Sequence, residues 1–242
     1  KHAVAYFIEP ILAHHDHHHF EIFCYYNATD RDDITARLQQ YSDHWLNCIS
    51  LSDDRLAHQI RQDQIDILID LSGHTAKHRL LLFARKPAPI QVTYLGYPTT
   101  TGLTTIDYRI SDEYIDTQGV NEQFSSEMPV KLPASFYCYQ PYNDSPPISN
   151  LPARQNNYIT FSSFNHLVKL NPEILSLWAK VLDSLPGSKL LIKTRNLSDP
   201  TTRQHLEARL VHCGIALNRL IFEDIGAVPA YLQTYHQVDI AL

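Results

Sequence analysis

The sequence predicts an α/β fold made of two successive parallel-sheet domains. Three observations carry that expectation. Apolar runs of strand length alternate with amphipathic runs of helix length along the chain. The run Ile67, Leu68, Ile69 and Leu71 is continuously apolar, as in parallel sheets covered on both faces. A stretch rich in Pro, Asn and Ser interrupts the alternation, which then restarts.

In order, residues 3–12 are expected as a helix, 20–26 as a strand, 33–41 as a helix and 45–50 as a strand. Residues 53–62 follow as a helix and 65–71 as a buried strand. A helical stretch ends before Pro87, and strands are expected at 90–95, 108–111 and 129–132. Pro141, Pro146, Pro147 and Pro152 mark an extended linker over 141–156, so the domains are taken as 1–140 and 157–242. Beyond the linker, 158–162 is a strand and 172–185 a helix. Asn171 is its N-cap, Pro172 its first residue and Pro186-Gly187 its stop; Ile174, Trp178, Val181, Leu182 and Leu185 are its apolar stripe. Residues 189–194 form a strand, 200–213 a helix capped by Asp199 and closed by Gly214, and 220–223 a strand. A short helix over 228–236 and a buried strand over 238–242 complete the series. The first domain is expected to lack its first strand and the second to contain only its first half, both being truncated at their working edge.

Composition narrows the function. The 242 residues include 20 Lys plus Arg and 26 Asp plus Glu, a net charge of -6; 44% are hydrophobic and 19% charged. That balance excludes general disorder and argues against a nucleic-acid surface, which needs clustered basic residues. No apolar run approaches bilayer-spanning length, so no membrane partner is expected. Cys24, Cys48, Cys138 and Cys213 have no metal-type spacing and read as thiols of a reducing, cytoplasmic compartment.

Four stretches can carry chemistry. Asp70 to Thr75 leaves a strand in small and polar residues, where an α/β site is built, or is a plain turn with Thr75 capping the next helix. Leu95-Gly96-Tyr97-Pro98-Thr99-Thr100-Thr101-Gly102 offers N–H groups and hydroxyls to sugar or phosphate oxygens, or is a tight loop. Asn165, His166 and Lys169 precede a helix N-terminus, whose partial positive charge beside Lys169 suits a phosphate; a solvated lysine is the plainer alternative. The cluster of His14, His15, His17, His18 and His19 around Asp16 invites a zinc reading, but neighbouring loop side chains rarely converge and no distant ligand spacing supports it, so no metal is expected.

Lys86-Pro87-Ala88-Pro89-Ile90-Gln91, Leu95-Gly96-Tyr97-Pro98, Gly102, Asp107-Tyr108 and Ser111-Asp112 together resemble the O-linked N-acetylglucosamine transferase family and its SPINDLY-type members. Phe23-Cys24-Tyr25, Asp66 to Leu71, Phe164-Asn165 with Lys169, and Asn218-Arg219 extend the resemblance over most of the chain.

The resemblance implies two Rossmann-like domains of GT-B type, with a first strand just before Lys1 and a His-Thr-Thr nucleotide turn after Leu242. It implies metal-independent, inverting transfer of N-acetylglucosamine from UDP-GlcNAc to Ser or Thr hydroxyls, without a cofactor. The protein acceptor is expected to bind an upstream tetratricopeptide array. GDP-fucose or UDP-glucose are alternative donors, and a noncatalytic interaction module is the alternative from another class.

By position, the resemblance makes His2 a candidate base, with an imidazole pKa suited to the task, and Asp30 an acidic candidate. It places Leu95, Gly96 and Pro98 around the sugar's acyl group, with Asn165 and His166 as further substrate contacts, and gives Lys169 the leaving diphosphate. Val228 and Tyr231 stand where relatives have lysine and histidine; Tyr231 is expected to stack on the nucleoside and Gly226 to give close backbone contact.

Overall fold

The computed structural model describes residues 3–117, 122–141 and 145–242, without the side chains of Glu122 and Val228. The chain divides into two units, residues 1–141 and 142–242.

In the first unit, α1 (Ala5–His14) leads to β1 (Phe23–Tyr26), α2 (Asp33–Gln40), β2 (His44–Asn47) and α3 (Asp53–Gln62). Then come β3 (Ile67–Asp70), α4 (Leu80–Phe83), β4 (Ile90–Thr93), β5 (Tyr108–Asp112) and β6 (Met128–Leu132). Caps set the helix starts: Asp32 accepts from the Thr35 N–H at 2.9 Å and Ser52 from the Arg55 N–H at 3.3 Å. The described strands form two parallel sheets, β1-β2 and β3-β4-β5-β6. Leu56, Ala57 and Ile60 of α3 pack with Leu68, Phe83 and Ile106 in one buried cluster.

The expectation that β3 is covered on both faces is corrected here. Leu68 and Asp70 are buried, but Ile67 and Ile69 on the other face are 51% and 47% exposed. Thr75 caps no helix; its hydroxyl donates to the Ser72 carbonyl at 2.7 Å within the turn, and α4 starts only at Leu80.

The second unit holds α5 (Ala153–Asn156), β7 (Thr160–Ser163), α6 (Pro172–Ser184) and β8 (Lys189–Lys193). It continues through α7 (Pro200–His212), β9 (Leu220–Glu223), α8 (Val228–Gln233) and β10 (Ile240–Ala241). The stretch read as an extended linker therefore ends in a helical turn, and the Ala153 N–H donates to Asp239 Oδ1 at 2.9 Å.

All strands of this unit run parallel in the order β10-β7-β8-β9. Leu190, Leu191 and Ile192 are fully buried, and Leu190 and Ile192 pack with Leu175, Trp178, Ala179 and Leu182 of α6 and with Leu206 and Leu210 of α7. Each such leucine contributes about 1.5 to 3 kcal/mol through burial. The stripe of α6 is rotated from the expected one: Leu175 and Ala179 are buried, Ile174 and Val181 are only partly so, and Leu185 is exposed. Arg219 secures the end of α6, its Nη2 donating to the carbonyls of Leu182 and Leu185, each at 2.9 Å. The expected buried strand at 238–242 is shorter and exposed at Ile240 and Leu242.

Candidate functional site

A Rossmann-type sheet binds ligands beyond the carboxyl ends of its strands, where the strand order reverses. In the second unit β7 is followed on one side by β8 and β9, while the last strand, β10, lies on its other side. The reversal is at β7, and the loop leaving it carries Asn165, His166 and Lys169.

Lys169 ends a short 3-10 turn, Leu167–Lys169, and is exposed just before α6. The helix start is less open than its sequence suggests. Pro172 has no N–H, and Asn171 Oδ1 takes the Ile174 N–H at 2.9 Å. The cation, more than the helix, is what this loop offers an anion. Asn165 Nδ2 donates to Ser163 Oγ at 3.3 Å, which holds its amide over the strand end, and His166 is exposed.

Beside this loop is an aromatic group, of which the sequence expectation assigned a role only to Tyr231. Phe164 stacks on Tyr235 with ring centroids 4.3 Å apart and meets Tyr231 edge-on at 5.3 Å. Such a wall suits the face of a nucleobase. Beneath it, buried Lys193 sends its ammonium to Glu223 Oε2 at 2.9 Å and to Thr234 Oγ1 at 3.0 Å. Burial pushes the Glu223 carboxyl up, but the Lys193 and Thr234 bonds outweigh it and hold the pKa below the usual range. This network fixes Thr234, directly after α8, against the ends of β8 and β9. Gly226 is exposed in the loop between β9 and α8.

In the first unit, the loop after β4 is locked in place. A Cβ on Gly96 would lie 2.2 Å from the Leu71 carbonyl oxygen, so the loops after β3 and β4 touch through bare backbone. Leu95 is half-buried with φ of 65°, and Pro98 is exposed. Two buried charged groups hold the loop from below. Arg109 Nη1 donates to the Pro98 carbonyl at 3.2 Å while its guanidinium pairs with Asp116 at 2.7 Å. Glu127 accepts from the Thr101 N–H at 2.8 Å and from the Thr100 hydroxyl at 2.7 Å. Behind the adjacent turn, Asp70 accepts from the N–H groups of Ser72 and Gly73 at 3.0 and 2.8 Å. Asp70 is thus a turn former, and His74 packs edge-on against Tyr97 at 5.3 Å.

Asp30 is exposed in the loop after β1, and its backbone carbonyl accepts the Tyr26 hydroxyl. Arg79 joins that loop to the ones after β2 and β3, donating to Asn27 Oδ1 at 2.9 Å, the Cys48 carbonyl at 2.9 Å and Asp53 Oδ1 at 2.8 Å. His2 lies outside the described residues. Sequence reasoning missed Arg79, Arg109 and Glu127 because no local pattern reveals which loop a distant side chain will reach.

Two of the clustered histidines meet an acidic residue from a distant stretch. His15 and His17 lie together with Asp43, their ligand atoms all within 4.8 Å of one another, the only such group among the described residues.

No helix among the described residues is long and apolar enough to cross a membrane. Residues 1–142 match the family model described as glycosyl transferase family 41. The whole chain is 38% identical to a probable UDP-N-acetylglucosamine–peptide N-acetylglucosaminyltransferase SPINDLY of Oryza sativa subsp. japonica and covers 26% of that protein. It is 30% identical, again over its whole length, to the SEC protein of Arabidopsis thaliana, of which it covers 25%. A solved structure of a mutant O-GlcNAc transferase from Thermobaculum terrenum superposes with a TM-score of 0.88 and 37% identity, over 99% of this chain and 45% of that one. The chain thus spans about a quarter of the length of these curated relatives.

Proposed function

Because the chain belongs to glycosyl transferase family 41, we propose that it forms part of a transferase moving N-acetylglucosamine from UDP-GlcNAc to Ser or Thr hydroxyls of a protein. The observation that carries this reading is the placement of Asn165, His166 and Lys169 at the reversal point of a parallel sheet. The names of the rice relative and of the solved bacterial neighbour support the donor and the acceptor.

The division of labour follows from chemistry. When the glycosidic bond breaks, negative charge grows on the departing β-phosphate, and a cation already in place lowers the barrier. Lys169 takes that role, so no divalent ion is needed at the phosphates. Phe164, Tyr231 and Tyr235 form the wall for the base, with Gly226 allowing close backbone approach. The loop from Leu95 to Pro98 borders the sugar. A hydroxyl attacking from the face opposite the leaving group inverts the anomeric centre; the resemblance gives its proton to His2, with Asp30 the alternative acceptor. The scattered spacing of Cys24, Cys48, Cys138 and Cys213 supports a cytoplasmic setting.

The test is donor turnover by the full protein with UDP-GlcNAc, UDP-glucose and GDP-fucose in parallel. Release of UDP from UDP-GlcNAc with sugar appearing on protein Ser or Thr supports the reading. Preference for another donor overturns its sugar specificity, and no turnover with any donor together with no UDP binding makes the chain a noncatalytic module.

A further inference from the structure

We propose that His15, His17 and Asp43 form a binding site for a zinc-class divalent cation that clips the end of α1 to the start of β2. The inference is independent of the transferase reading.

The local fold explains why adjacent histidines converge. Asp16 closes a tight turn, its carbonyl accepting the Phe20 N–H at 2.9 Å and its carboxylate the His18 N–H at 2.9 Å. Asp16 also pairs with His19 at 2.7 Å, which turns His19 away to its own partner. The rings of His15 and His17 are left together, with centroids 3.9 Å apart. The third ligand comes from a distant stretch: the Asp43 carboxylate is anchored by the Ile22 N–H at 2.7 Å and lies 3.0 Å from His17 Nδ1.

His15 supplies the second, independent observation. Its side chain is only 9% exposed, and Nδ1 lies 2.6 Å from the Leu12 carbonyl, an acceptor, so the proton sits on Nδ1. Nε2 is buried without a hydrogen-bond partner and faces Asp43 Oδ2 at 3.9 Å. A buried imidazole nitrogen oriented by a carbonyl behind it is how metal-ligating histidines are held. A buried nitrogen without a hydrogen bond carries an uncompensated desolvation penalty, which a cation would remove.

Ligand atoms of a tetrahedral zinc site with bonds of about 2.0 to 2.2 Å lie roughly 3.3 Å apart. The present spread of up to 4.8 Å therefore closes by a small rotation of His17 and Asp43, which have room at 53% and 31% side-chain exposure. Two imidazoles and one carboxylate suit zinc, with water as the fourth ligand.

The experiment is competition for zinc against a chromogenic chelator, using the full protein without an affinity tag. The expected result is one equivalent bound, with His15→Ala, His17→Ala and Asp43→Asn each weakening it at least about tenfold. His18→Ala and His19→Ala leave the affinity unchanged. Zinc raises the melting temperature of the wild type and not of His17→Ala, an exposed position whose loss spares the fold even if His15→Ala misfolds. Absence of binding by the folded wild type, or equal losses in His18→Ala and His17→Ala, would overturn the site; the latter marks a loose surface chelate.

Discussion

The Pro98 carbonyl accepts a hydrogen bond from Arg109 Nη1 at 3.2 Å, and the same guanidinium is paired with Asp116 in the interior. The loop proposed to border the sugar is thus held by a charge buried beneath it. Arg109→Leu leaves the Asp116 carboxylate buried without its cation, which costs about 3 to 5 kcal/mol. Calorimetric melting checks this. The double variant Arg109→Leu, Asp116→Leu recovers most of the stability but not the donor affinity, because Pro98 stays untethered. Full recovery of both contradicts the positioning role.

Gly96 and Gly102 separate two reasons for glycine. Gly96→Ala drives a Cβ to 2.2 Å from the Leu71 oxygen, so the loops must part. Gly102 has open space around it but a φ of +76°, and Gly102→Ala costs only about 1 kcal/mol of strain. The expected outcome is that Gly96→Ala lowers transferase kcat/KM at least about tenfold, whereas Gly102→Ala mainly shifts the melting temperature. Comparable kinetics for the two variants would contradict this account.

Glu127 links this loop to pH. Burial raises its pKa, but the bonds from the Thr101 and Thr100 hydroxyls and the Thr101 N–H outweigh burial and hold it below the unfolded value of 4.5. Its contribution to stability is therefore complete above that value and is lost as pH falls through the folded pKa. Wild-type melting temperature should fall more steeply than that of Glu127→Gln as pH is lowered from about 6 to about 3. Parallel curves would remove Glu127 from this role.

The aromatic wall predicts a binding effect without a fold effect. Tyr231→Ala removes an edge-on partner of Phe164 and weakens UDP binding about five- to tenfold, the size of one aromatic contact. Titration calorimetry with UDP reads it. Unchanged affinity would assign the base to another surface.

Legibility varied with the kind of signal. Residues 53–62 and 220–223 were readable to their ends, since a helical periodicity and a compact apolar run are local features. The reversal point at β7 was not, because strand order depends on pairing between distant segments. The exposed face of Ile67 and Ile69 was misread for a similar reason: an apolar run states that burial is favourable and not what covers it. His15 and His17 were visible, but their partner Asp43 is 26 residues beyond His17 and carries no local mark. The place of Lys169 before a capped helix was legible, while the Asn171 cap that uses up the Ile174 N–H tempers the anion site read from that helix.

Lys169→Ala in the full protein should lower turnover at least about 100-fold, the scale of one preorganised contact to developing charge, while its exposed position leaves the melting temperature unchanged. Near-normal turnover would take the lysine out of the chemistry.

The most direct measurement is a crystal structure of the full protein with UDP. The account predicts a β-phosphate oxygen about 3 Å from Lys169 Nζ, beyond the end of β7. A pyrophosphate bound away from that lysine would contradict it.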